Sequence, residues 1–439
     1  MKIFFSLISL LFFLSHHLNS SPDTELVQYL SKKAVPVNDT GDLDDLIKIA
    51  GSRRLVLLGE ASHGTAEFYK WRAEITKRLI SEKDISFIAV EGDWASVYRL
   101  NEYVKNAPGS PSSARRVLRK FDRWPEWMWG NTEIESLAEW LKEYNSKLPQ
   151  DDKVGFFGMD VYGQWEAMED LLEFTGEYMP DHHKEIRKSL QCFANYDRDE
   201  WRYARAVAGM GHPSCAGGLN GVVELIREMA PLLREKDEKK YIRAKQNAIV
   251  MKNAEDFFRL AVTDNTASWN SRAVHMWESV MRLLNEHGNN SKAVVWAHNT
   301  HVGDAEATTM RYQNMVNIGQ LSRHTLGADE VFITGFSTNT GRVNAGSSWG
   351  SAMQQMRIPE AIEGSYENIF SQIRHEQLYI IFDDKDRNHH ELMQFRDHRA
   401  IGVVYNPRQE AGNYVPTILP LRYDAFIFIR ETSPLKPVR

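Results

Sequence analysis

The stretch Arg54-Leu-Val-Leu-Leu-Gly-Glu-Ala-Ser-His-Gly-Thr65 decides the fold. Four apolar residues, Leu55 to Leu58, run straight into Gly59-Glu60-Ala61-Ser62-His63-Gly64. A run this short, apolar at every position and stopped by glycine, reads as a strand covered on both faces. Glu60 and His63 then stand where the strand leaves its sheet, the edge at which open α/β sheets bind ligands. The pattern recurs. Residues 87–90 end in Glu91-Gly92-Asp93-Trp94, residues 154–157 in Gly158-Met159-Asp160, and residues 293–297 in His298-Asn299-Thr300-His301. In a parallel sheet such ends lie side by side, so the four strands bring their acids and imidazoles to one place.

Helical patterns fill the intervals. Short helices are expected at 23–34 and 42–50, with Asp42 as N-cap. Residues 66–83 carry Phe68, Trp71, Ile75, Leu79 and Ile80 on one face, which leaves Arg72 off that stripe. Further helices follow at about 95–106 and 131–144. Between Gly163 and His287 there is almost no strand signal, only helical stretches at 164–178, 218–234, 238–260 and 267–285. This predicts a helical cap inserted over about 163–290, placed above the strand ends, with Gly209–Gly218 as its hinge. Strands resume at 331–336, 378–382, 400–404 and 425–429, and the polar stretch 337–350 reads as a loop. Residues 22–439 therefore form one three-layer α/β/α unit with a mainly parallel central sheet.

The 439 residues are 42% hydrophobic and 26% charged, an ordinary globular balance. A net charge of −6 offers no basic footprint for nucleic acid. Lys2 precedes an apolar block from Ile3 to Leu14, followed by polar residues to Ser20. That block is well short of the ~20 residues that span a bilayer. Residues 1–21 thus read as an export signal cleaved near Ser20 or Ser21, leaving a periplasmic or extracellular chain without stable membrane attachment; an uncleaved anchor is the other reading. The two cysteines, Cys192 and Cys215, allow one disulfide or two buried thiols, but no metal site.

His63 is the candidate base, since imidazole titrates near neutrality and a neighbouring carboxylate, Glu60 or Glu91, can hold its tautomer. His298 and His301 are placed to donate to a developing oxyanion or to protonate a leaving group. Arg72 is suited to orient a carboxylate or the oxyanion itself, the other reading being a solvated side chain. Together these describe water attacking an ester or lactone carbonyl. The tryptophan-rich segment 121–130 is either a pocket wall or core beneath a long connection. Gly346-Ser347-Ser348-Trp349-Gly350 matches the nucleophile-elbow pattern, but no strand directly precedes it, so the match is set aside. Glu60, His63, Glu91, His298 and His301 are also metal-competent and define a metallohydrolase alternative. They lack a close His-Glu-x-x-His pair, so the leading reading uses no metal and no cofactor. A non-catalytic protein binding carbohydrate or haem in the aromatic cleft is the third reading.

Gly59-Glu-Ala-Ser-His-Gly-Thr65, Glu91-Gly-Asp-Trp94, Trp129-Gly-Asn-Thr-Glu133, Trp296-Ala-His-Asn-Thr-His-Val302, Arg272 and the tail Tyr423–Pro434 resemble the erythromycin esterase family. The resemblance implies a three-layer hydrolase-like core with a helical cap that opens a lactone without a metal. It implies that His63 is the water-activating base and that Glu60, Arg72, Glu91, His298 and His301 line the same cleft. Trp94, Trp129, Asn299 and Arg272, within or beside these motifs, are the expected substrate contacts. The family also includes proteins of succinoglycan biosynthesis, so the reaction class carries over more directly than the substrate.

Overall fold

The structure is a computed structural model and describes residues 22–439; the expected export signal lies outside them. Its nine strands are β1 (Val35–Pro36), β2 (Leu55–Leu58), β3 (Phe87–Asp93), β4 (Gly155–Asp160), β5 (Ala293–Trp296), β6 (Val331–Ala345), β7 (Gln354–Ile358), β8 (Gln377–Ile381) and β9 (Ala425–Thr432). They form one sheet in the order β1-β8-β9-β6-β2-β5-β3-β4, with β7 hanging on β6. From β4 to β9 all neighbours are parallel, and only the pairs β1/β8, β8/β9 and β6/β7 are antiparallel. The strands β2, β5, β3 and β4 are thus adjacent. Leu58 and Val90 both lie opposite Trp296, so Glu60, Glu91 and His298 leave the sheet within a few residues of the same level.

Side chains alternate across the strands and feed two cores. Leu55, Leu57, Phe87, Ala89 and Val295 face one layer. Val56, Leu58, Ile88, Val90 and Trp296 face the other. The second layer is built by helices Asp44–Ala50, Ala66–Lys83 and Thr132–Ser146, the first mostly by the helices between Gln164 and Glu286. This long insertion does not hang free. Trp165, Phe174, Met251 and Met276 belong to the same apolar cluster as the sheet, so it serves as a structural layer whose upper end reaches the strand tips. Its glycine-rich break is tied down: a Cys192–Cys215 disulfide closes it, Ser214 Oγ donates to Glu255 (2.7 Å), and the Cys215 N–H donates to Tyr203 Oη (2.8 Å). Among the described residues, no helix is long and apolar enough to cross a membrane.

Three local expectations are corrected. Asp39, not Asp42, is the N-cap, of the turn Thr40–Leu43; Asp42 returns the bond in a capping box. Residues 337–345 continue β6 instead of looping, because their polar groups are satisfied inside. Ser337 Oγ donates to Glu367, Thr338 Oγ1 donates to the Thr340 carbonyl, and β9 and β7 take the backbone. Residues 400–404 join no ladder. They make two isolated bridges, Ile401 to Ser62 and Val404 to Gly346, and so stitch the strand-end loops together.

Candidate active site

Gly59 lets the chain turn off β2 in a space with no room for a side chain. A Cβ there would meet Asn299 Oδ1 at 2.1 Å, and one at Gly64 would meet the Asn344 carbonyl at 2.0 Å. The turn between them aims Glu60 inward. Its carboxylate accepts from Arg72 Nη2 (2.6 Å) on one oxygen and from His63 Nδ1 (2.9 Å) on the other. Arg72 is fully buried, with its guanidinium 4.3 Å from the Tyr69 ring and 4.7 Å from the Trp296 ring. Since an arginine-paired carboxylate only accepts, the His63 proton sits on Nδ1 and Nε2 faces the cavity. Burial pulls the His63 pKa down, but Glu91 and the Glu60 hydrogen bond outweigh it and hold the imidazole above its usual value.

The second group is built on Glu91. Its carboxylate accepts from Arg272 Nη2 (2.7 Å) and from the His298 backbone N–H (2.8 Å). Burial raises this carboxyl, and the neighbouring His301, His63 and Arg272 overcome that and hold it well below the usual carboxylate range. Arg272 also grips Asp160 through Nε (2.8 Å) and Nη2 (2.6 Å), and its Nη1 donates to His301 Nε2 (2.9 Å). That bond fixes His301 as the Nδ1–H tautomer, and Trp269 stacks on its ring at 4.6 Å and 11°. Burial pushes His301 down to about 4, so it stays neutral at pH 7. His298 Nδ1 accepts from the Thr300 N–H (3.2 Å), which leaves the proton on Nε2. That nitrogen is buried without a hydrogen-bond partner, and burial carries His298 well below its ordinary pKa. The His63 and His298 rings lie 4.9 Å apart.

These groups floor a cavity of about 290 Å³, near the small end of ligand pockets at ~300–1,000 Å³. His63, Glu91, Arg272, His298, His301 and Trp129 line it; Glu60 and Arg72 stand behind His63. Trp94 and Asn299, expected on the substrate, do not reach it. Trp94 stacks on Phe157 (5.7 Å, 8°) in the core. Asn299 is buried, donating from Nδ2 to the Phe336 carbonyl (2.7 Å). The segment 121–130 turns out to be both wall and core: Trp129 lines the cavity while its Nε1 donates to the Glu91 carbonyl (2.8 Å), and Trp127 is buried in the core. Gly346 is buried directly after β6 and residues 347–350 form an exposed turn, not a strand-to-helix elbow. Sequence reasoning passed over Arg123, bidentate on Asp93 (2.5 and 2.7 Å), Tyr162 and Trp269. Only the Asp93 and Asp160 strand ends signalled that part of the floor.

Most of the metal-competent atoms are already engaged: both Glu60 oxygens, both Glu91 oxygens, His63 Nδ1, His301 Nε2 and His298 Nδ1 hold hydrogen bonds, while His63 Nε2 is left open. Among the described residues no three His, Cys, Asp or Glu side chains are placed to hold a metal ion.

A sequence profile for erythromycin esterase matches residues 80–432. The chain belongs to the erythromycin esterase family. An Escherichia coli relative, erythromycin esterase type II, is 22% identical over 357 residues, 76% of this chain and 82% of that protein. The fold is shared with a Bacillus cereus protein (TM-score 0.78, 20% identity, 94% of this chain and 99% of that one). It is shared too with a succinoglycan biosynthesis protein (0.77, 20%, 95% and 99%). An asparagine-for-histidine mutant of the erythromycin esterase EreC in its open conformation also shares it (0.66, 16%, 91% and 97%). The profile match takes in Glu91, Asp160, Arg272, His298 and His301. It starts after Glu60, His63 and Arg72, so the place of those three in the site rests on geometry.

Proposed function

We propose that the chain is an esterase-type hydrolase acting on an ester or lactone, a reading supported by its family and its relative. We propose that His63 is the general base of that reaction. Nε2 takes a proton from water as the oxygen attacks the carbonyl carbon, while Nδ1–H stays on Glu60, which stabilises the imidazolium. The oxyanion develops beside the neutral His298 ring, which lines the cavity 4.9 Å from His63. The leaving alkoxide then recovers the proton from His63. The observation that carries this reading is the Arg72–Glu60–His63 chain, which ends in one open imidazole nitrogen at the floor of the cavity. A His63→Ala variant, assayed on a panel of aryl esters, alkyl esters and lactones, is expected to lose about 10²–10⁴-fold in kcat. Full retention of activity would remove His63 from the mechanism.

Export is likewise proposed. Its support is the apolar N-terminal block together with the Cys192–Cys215 disulfide, a bond that persists mainly in oxidising compartments. Fractionating cells that produce the full chain, with the N-terminus of the product sequenced, is expected to find it outside the cytoplasm starting near Pro22. Intact Met1 on a cytoplasmic product would reject this.

A further inference from the structure

The cavity's floor is charged, but its mouth is aromatic. Trp349 stands there 51% exposed while lining the cavity. It contacts Trp124 (4.8 Å, 59°) and Tyr162 (6.4 Å, 50°). The turn that carries it is fastened in place. Trp124 Nε1 donates to the Ser351 carbonyl (2.9 Å), the Gly346 N–H donates to the Val403 carbonyl (2.9 Å), and the Tyr405 N–H donates to the Gly346 carbonyl (3.0 Å). Gly402 also lines the cavity, and where its side chain would stand there is open space. An exposed indole held by a stitched turn offers a large apolar face at little ordering cost.

Resting on the hydrolase reading, we infer that Trp349 and the gap over Gly402 form the subsite for the part of the substrate that is not cleaved, and that this part is a ring presenting a C–H face. The hydrolysed carbonyl sits over His63 and the ring lies outward against the indole. Either an alicyclic ring or a sugar ring offers such a face.

Methyl esters of acetic, cyclohexanecarboxylic and glucuronic acid separate these, using the full chain. Wild type is expected to prefer one of the two ring esters. For that ester Trp349→Ala raises KM at least fivefold with kcat within twofold, and Trp349→Phe recovers most of the loss. Gly402→Leu, which fills the gap, gives the same selective loss. Hydrolysis of the acetate stays within twofold in all three variants. An equal effect on all esters, or no effect on either ring ester, overturns the subsite. Calorimetric binding of cyclohexanecarboxamide and glucuronamide reads it without turnover: at least one binds wild type, and Trp349→Ala weakens it at least fivefold. Amide binding that obeys this pattern while His63→Ala remains active would reject the base and keep the subsite. An inactive His63→Ala with Trp349→Ala indifferent throughout would do the reverse.

Discussion

His63 is held between opposed influences, and its pH behaviour follows from their balance. Burial disfavours the imidazolium, while Glu91 and the Glu60 bond favour it more, so the folded pKa lies above 6.5. A base must be neutral to act, so activity is expected to rise with pH through that raised value, with little below pH 6. Replacing Glu60 by Gln removes one of the two favouring carboxylates. The acid limb of kcat/KM then moves to lower pH and the plateau falls, because the weaker base has also lost its orienting partner. An unmoved limb would assign the titration to another group. The same change leaves Arg72 buried without a counter-ion, so a loss of about 3–5 kcal/mol of unfolding free energy accompanies it. The profile is therefore read on protein whose circular dichroism shows it folded. This pair was legible in the sequence, because three residues of spacing in a strand-end turn suffice to join them. Arg72 as an orienter of a carboxylate was legible too; which carboxylate was not, since only the folded helix turns this cation off the apolar stripe inward onto Glu60.

At the scale of single elements, the turn after β5 is held from below by Asn299. Its backbone N–H donates to the Glu60 carbonyl (2.8 Å), its side chain donates to the Phe336 carbonyl, and its own carbonyl accepts from Arg422 Nη2 (3.0 Å). Asn299→Ala leaves the Phe336 carbonyl buried and unpaired, so a loss of about 1–3 kcal/mol in stability is expected by urea unfolding. Because His298 rides on the same turn, kcat falls with KM nearly unchanged; a KM effect alone would return Asn299 to substrate contact. Composition misled where side chains found partners within the protein. The Ser, Thr and Asn residues of 337–345 look like loop residues, yet they extend β6 because Glu367 and the facing backbones satisfy them. Ala400–Val404 looks like a strand, yet it serves as a seam. The apolar strands β2, β3, β4, β5 and β9 were legible because burial on both faces demands unbroken apolar runs. The aromatic lining was not, since Tyr162, Trp269 and Trp349 come from segments with no common period.

Across the whole molecule, burying so many histidines ties stability to pH. Burial lowers His275 to about 3 and His301 to about 4, and pulls His287, His298 and His398 down as well. In the unfolded chain these imidazoles titrate near 6.5. As pH falls below that value the unfolded state takes up protons that the native state refuses, so the unfolding free energy drops. Each fully refused proton costs about 1.4 kcal/mol per pH unit. The loss starts as pH passes below about 6.5 and continues to about 3–4, where His275 and His301 finally accept protons. His63 acts with the opposite sign: its contribution is complete below 6.5 and fades as pH rises through its raised value. Five groups against one leave acid lability as the net result. Urea midpoints are expected to fall steeply between pH 7 and pH 5, with proton uptake of several per molecule on unfolding. His275 is the group to test, because it lies outside the cavity, with its ring accepting from Asn253 Nδ2 (2.9 Å). In His275→Gln the slope of unfolding free energy against pH is expected to flatten by about one proton, with the ester pH profile unchanged. An unaltered slope would place the acid sensitivity in the carboxylates instead.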